Sequence, residues 1–145
     1  MTTPEAGAAE ELEPGIRRVL APNPSPMTHW GTNTYLVGTR SLALIDPGPD
    51  DPAHYAALLG AIGGARVSHV LVTHAHRDHS PLARRLADAT GAPVLAFGDA
   101  RAGLSPIMER LAVEGLAGGG EGVDAGFRPD ATLRDGDRIE GDGWA

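Results

Sequence analysis

His74, His76, Asp78 and His79 stand in the order His-x-His-x-Asp-His. Imidazole nitrogen and carboxylate oxygen are donors that Zn²⁺ takes, and Fe or Mn suit the same set. Residues two apart on extended backbone face the same way, so His74 and His76 can grip one ion. Asp78 and His79 then fall where the chain turns and face a second ion. The rival reading is a solvated strand-to-helix loop with incidental histidines, and the match at all these positions after an apolar run weighs against it. The chain contains no Cys, so a metal must be held by His and carboxylate, and disulfides and thiolate nucleophiles are excluded.

The elements that must position this cluster lie on either side of it. Residues 67–72 form an apolar run that predicts a strand buried on both faces. Ser80-Pro81 then predicts the cap and first turn of a helix reaching about residue 89, ahead of Gly91. Upstream, the apolar runs 34–37 and 42–45 flank Gly38-Thr39-Arg40-Ser41 and predict a hairpin. The second run stops at Asp46-Pro47-Gly48-Pro49. Asp51-Pro52 predicts a helix start, with Tyr55, Leu58, Leu59 and Ile62 as the buried stripe and Gly63-Gly64 as the stop. Residues 93–97 read as a further short strand, and the β-α-β-α-β succession predicts an α/β sheet with helices on a face. Beyond it, 107–116 has helical spacing, 118–120 reads as a mobile Gly connection, and Asp135-Gly136-Asp137 reads as a turn between short strands. Trp144 is expected to begin another strand. Residues 1–14, small and acidic, predict a flexible leader before an ordered domain over 15–145.

Composition narrows the function classes. A length of 145 residues with 41% hydrophobic and 21% charged residues fits one globular domain and excludes a disordered or coiled-coil chain. Gly 20 and Pro 12 imply many turns without a collagen-like period. Twelve basic residues, all Arg, against nineteen acidic ones give a net charge of −7, which disfavours a phosphate-binding surface. Aromatics are too few for base-stacking platforms. The first residues lack a basic-then-apolar signal pattern, and no apolar run approaches the ~20 residues that span a bilayer. The expectation is a soluble, cytoplasmic protein with no membrane partner.

With this motif the sequence resembles the metallo-β-lactamase fold hydrolase superfamily. The resemblance also covers Gly31-Thr-Asn-Thr-Tyr35 and Leu44-Ile-Asp-Pro-Gly-Pro49, typical of a branch holding hydroxyacylglutathione-hydrolase-like and RNA-cleaving enzymes. It implies the N-terminal half of a four-layer αβ/βα sandwich. It also implies two zinc ions, with His74 and His76 on the first and Asp78 and His79 on the second. Asp78 would have a catalytic role as well, orienting a metal-activated hydroxide against an ester, thioester, lactone or phosphodiester. A small-molecule substrate is favoured over nucleic acid. Asp46 would lie beneath the metal cleft supporting its ligands, or else simply end a strand at a Pro-Gly turn. His29 and Asn33 would border the cleft as substrate contacts, or be ordinary loop residues. Two sheets of such a sandwich bury their inner faces against each other, so an apolar patch is expected on the sheet present here.

A complete site of this family takes a third His, a bridging carboxylate and a last His from a later half of the domain, whereas no His follows His79. The resemblance therefore implies a truncated chain that is weakly active or inactive by itself. Two other readings stay open: a metal-binding half-domain that requires a partner chain, and a nonfunctional remnant. Of the remaining histidines, His69 is expected to be structural and His54, on the first turn of a helix, to be solvated.

Overall fold

In the computed structural model, which describes residues 4–115 and 122–145, the apolar runs assemble into one seven-stranded sheet. Its strands are β1 (Ala9–Glu13), β2 (Ile16–Leu20), β3 (Asn33–Val37), β4 (Ser41–Ile45), β5 (Arg66–Val72), β6 (Val94–Ala96) and β7 (Ala131–Thr132). They lie side by side in chain order. β1 to β4 form an antiparallel meander, and β4 to β7 pair in parallel. The parallel pairs need crossovers, supplied by α1 (Pro52–Ile62), α2 (Leu82–Thr90) and a connection that contains α3 (Pro106–Val113).

Cross-strand pairs share a face, and the register separates two surfaces. Leu36, Leu44, Val70 and Val94 stand in successive strands on one side, all fully buried, with Leu58 of α1 and Leu86 of α2 in the same core. Arg17, on this face beside Leu36, donates to the carbonyl of Ala61 at 2.8 Å and ties β2 to the C-terminal turn of α1, where cations are favoured. On the opposite side Tyr35, Ile45, Leu71 and Leu95 line up across the sheet and are only half-buried. No second sheet stands against this face among the described residues.

Several expectations need correction. Residues 9–13 are not a flexible leader: they form β1, aligned on β2 by backbone pairing and by an ion pair between Glu10 and Arg18. A run of Glu with a single large apolar residue hid an exposed edge strand, whose blunting by charge is itself typical of edges. β5 is buried on one face and half-buried on the other, and its register on β4 shifts between Leu42 and Ala43, so Ser68 is skipped in the pairing and its hydroxyl instead donates to the Leu42 carbonyl at 3.1 Å. In α1, Asp51 accepts from the His54 amide as a cap should, but Leu59 is 39% exposed and His54 takes its place in the buried stripe. The turn at Asp135–Asp137 is present, closed by Asp137 N–H on the Arg134 carbonyl, although only β7 flanks it. Trp144 starts no strand. Its indole N–H donates to the Ser41 carbonyl at 2.8 Å and its ring packs edge-on to His69. The predicted mobile connection at 118–120 lies outside the described residues.

Burial assigns these positions different weights. Leu86→Ala is expected to lower the unfolding free energy by about 2–5 kcal/mol, the usual cost of emptying a packed leucine site, and Leu59→Ala by less than about 1 kcal/mol. Urea midpoints at unchanged slope measure both; equal effects would contradict the core described here.

Candidate metal centre

The site forms where β4 and β5 end together. The Asp46 amide donates to the Leu71 carbonyl at 2.8 Å, and the chain then turns through Asp46 in the left-handed region, φ 52°. That conformation costs an L-residue about 1 kcal/mol or more. It also aims the carboxylate across the gap. Asp46 Oδ1 accepts from Thr73 N at 2.8 Å, while Oδ2 accepts from Thr73 Oγ1 at 2.7 Å and faces His79 Nδ1 at 2.9 Å. Burial alone would raise the Asp46 pKa, but the bonds from His79 and Thr73 outweigh it and hold the carboxyl below its ordinary value. Backbone bonds from Gly48 N to the His79 carbonyl and from Leu82 N to the Gly48 carbonyl complete the stitching of the two loops.

The tautomers follow from proton counting. Thr73 has one hydroxyl proton. Its close approach to the Asp46 carboxylate places that proton there, so His74 Nδ1, 2.9 Å from the same oxygen, must be the donor to it. Nε2 of His74 is then the lone-pair nitrogen, which is the form a metal ligand needs. Burial lowers the His74 pKa and the neighbouring His79 and His76 push it further, so the ring is neutral at neutral pH. The His76 ring lies 4.6 Å from that of His74, centroid to centroid, and the His79 ring 4.2 Å from it.

His79 sits between two carboxylates, with Nδ1 on Asp46 and Nε2 3.2 Å from Asp78 Oδ2. Burial would lower its pKa, but the bonds and charges of Asp46 and Asp78 prevail and raise it. Asp78 is only 9% exposed; Thr32 Oγ1 reaches its Oδ2 at 3.4 Å, and its Oδ1 is buried without a partner among the described residues. An ionised oxygen in that situation is strongly destabilising unless a cation faces it. The donor chemistry fits a divalent metal. The geometry is not that of a closed ligand sphere, since no three His, Asp or Glu side chains among the described residues converge on one point.

His54, expected in solvent, is instead fully buried. The Thr34 hydroxyl donates to the Asp46 carbonyl at 2.7 Å and therefore accepts from His54 Nε2 at 3.0 Å, so α1 supports the left-handed corner from behind. Nδ1 of His54 has no partner among the described residues, and burial pushes its pKa down. Gly48, at φ 91°, leaves room for this ring, because a Cβ there would stand 2.8 Å from Nε2. A first-turn position gave no hint of this, since helical periodicity does not identify the face that meets a neighbouring corner.

Of the residues singled out in sequence, His74, His76, Asp78, His79 and Asp46 come together. His29 and Asn33 make no hydrogen bond to any of them. His29 is exposed and stacks on Trp30 at 4.3 Å, and Asn33 Oδ1 is buried without a partner among the described residues. Thr32 and Thr73 were missed as contacts. Thr32 lay inside the 31–35 motif and Thr73 directly before His74, so adjacency was their signal. Ser80 does not cap α2 with its hydroxyl, which is engaged elsewhere. Next to His74 and His76 a groove of about 850 Å³ opens, walled by Phe97, Met108, Val113 and Val123 with Arg101 and Arg128.

The family model described as metallo-beta-lactamase superfamily matches residues 27–145. A lactamase-like protein of Pestalotiopsis microspora is 45% identical over 75 residues, covering 49% of this chain and 23% of that protein. An atrochrysone carboxyl ACP thioesterase of Cryptosporiopsis is 43% identical over 83 residues, 54% of this chain and 26% of its own. The chain thus spans about a quarter of the length of these curated relatives. Among solved structures, a metallo-beta-lactamase from Cronobacter sakazakii superposes over 94% of this chain and 50% of its own with a TM-score of 0.61 at 22% identity.

The buried His54 carries a pH signature. Its folded pKa lies below the ordinary 6.5, so the unfolded chain binds the extra proton more readily and stability falls as pH drops through that value. His54→Gln keeps an N–H donor for Thr34 but does not titrate. Between about pH 7.5 and 5.5 the wild type is expected to lose more unfolding free energy than the variant; parallel urea-denaturation profiles would contradict the buried neutral ring.

Proposed function

Because the chain belongs to the metallo-beta-lactamase superfamily, we propose that it supplies the first ligand set of a metal-dependent hydrolase acting on an ester or thioester, with the remaining donors coming from sequence that matches the rest of its relatives' length. The observation that carries this reading is the meeting of His74, His76, His79 and Asp78 over Asp46, with Asp78 Oδ1 buried and unpartnered among the described residues. His74 and His76 would hold one Zn²⁺, and Asp78 and His79 a second; Mn or Fe suit the same donors. The chemistry such cations supply is Lewis-acidic: water made acidic near neutral pH and a polarised acyl oxygen.

The chain's own residues do the rest. Thr73 fixes His74 as the Nδ1–H tautomer. Asp46 orients His79 and braces Thr73 from below, the outer support that imidazole ligands usually have. Asp78, held at Oδ2 by Thr32 and His79, has Oδ1 without a partner among the described residues and would orient the attacking water. The apolar groove beside His74 and His76 suits an acyl group, and a relative named as an acyl-carrier thioesterase supports a thioester over a phosphodiester. The −7 charge points the same way. No helix among the described residues is long and apolar enough to cross a membrane. A cytoplasmic place of action belongs to the same proposal.

The test compares the 145-residue chain with the product of its reading frame extended through codon 145, each with Zn²⁺ or Mn²⁺, on thioester and phosphodiester reporters. The extended product is expected to cleave the thioester and to lose more than about 100-fold in turnover on His76→Ala, beyond the cost of an outer support. The short chain should turn over little, because an open zinc site normally has three protein ligands. Equal turnover by both forms, or an unaffected His76→Ala variant, would overturn the reading.

A further inference from the structure

The ligand loop is held from a third side by a segment far along the chain. Val123 bridges His76 in antiparallel fashion. Arg77 N donates to the Gly122 carbonyl at 2.9 Å, and Asp124 N donates to the Ala75 carbonyl at 2.8 Å. The Ser80 hydroxyl, 1% exposed, donates to Asp124 Oδ2 at 2.8 Å. Phe127, buried against the core, anchors the segment just beyond. The residues between β5 and α2 thus gain a short two-stranded pairing that neither element provides.

An aspartate at this place has an ordinary explanation, since Phe127 N donates to the Asp124 carbonyl at 3.1 Å and Asp commonly opens such a turn. Its side chain does something else. Instead of closing on its own turn, the carboxylate reaches back to Ser80, so Asp124 grips the histidine loop at both ends: by its amide at Ala75, between the two first histidines, and by its carboxylate at Ser80, directly after His79. Val123 and Ala125 on either side of it also line the groove next to His74 and His76.

We infer that Asp124 is a positioning residue, which through its Ala75 and Ser80 bonds fixes the backbone path from His74 to His79 and thereby the spacing of the metal-binding side chains. The inference rests on the metal reading proposed above. Among the described residues Asp124 makes no hydrogen bond to the side chain of His74, His76, Asp78 or His79, so its effect passes through the backbone.

The experiment is a Co²⁺ titration followed by visible absorption, together with amide exchange of the metal-free protein, on wild type, Asp124→Ala, Asp124→Asn, Ser80→Ala and the Ser80/Asp124 double alanine. Asp124→Ala and Ser80→Ala are each expected to weaken Co²⁺ binding by about 10–100-fold, the usual effect of losing an outer partner. The double variant should be no worse than Ser80→Ala, which by itself removes the Asp124 bond together with the longer contact of the same hydroxyl with the His76 carbonyl at 3.2 Å. Asp124→Asn, whose carbonyl accepts the same bond, should restore affinity and the cobalt spectrum. The Arg77 amide should exchange faster in Asp124→Ala without metal. Unchanged cobalt affinity in Asp124→Ala, failure of Asn to rescue, or unchanged Arg77 exchange would overturn the inference. If wild type binds no Co²⁺, the metal reading falls, and Arg77 exchange alone decides whether Asp124 holds the loop.

Discussion

The Asp46 carboxylate is the constraint on which the rest of the site depends. It receives the Thr73 amide, the Thr73 hydroxyl and His79, and so joins the corner after β4 to the loop after β5. Parallel strands deliver both loops to one edge of the sheet, but a ladder of backbone bonds ends with the strands. Beyond that edge, side chains must take over. Asp46 accepts a strained backbone conformation to do this, and His54 with Thr34 sustains the strain from the helix side.

The electrostatics follow from the same arrangement. A chain carrying −7 concentrates two carboxylates around His79 and leaves His74 neutral. The result is graded: an imidazole stabilised as a cation between carboxylates, and another that gives its Nδ1–H to a hydroxyl and keeps its lone pair on Nε2. A cation held there by Asp78 and His79 would balance the carboxylate charge that the contact between them now balances.

Much of this was legible from sequence. Ligand-type residues at tight spacing after an apolar run, the Asp51-Pro52 helix start and the Gly91 stop all act locally, and the structure places strands and helices where they indicated. What escaped was decided at a distance. His54 is buried because Thr34, twenty residues upstream and bonded to the Asp46 carbonyl, accepts its N–H. Ser80 has the composition of a cap, yet its hydroxyl serves Asp124. Residues 9–13 pair with the adjacent β2 through backbone groups that any non-proline residue carries, so no side-chain pattern announced the hairpin. Trp144 is fixed by the close approach of Gly38 and Gly141 to its indole. Apart from that local hairpin, none of these is a property of a window of neighbouring residues.

The strictly sequential strand order has a kinetic meaning. Each strand docks against the one synthesised just before it, so loop closures stay short and no strand waits for a distant partner. The meander and the first two crossovers can therefore assemble as the chain leaves the ribosome, and the Asp46–His79 contact is available once α2 begins. The 122–127 segment arrives later. Assembly of the ligand loop thus has two stages separated in time: a corner set early by the sheet, and a closing contact that depends on translation reaching the far side of α3.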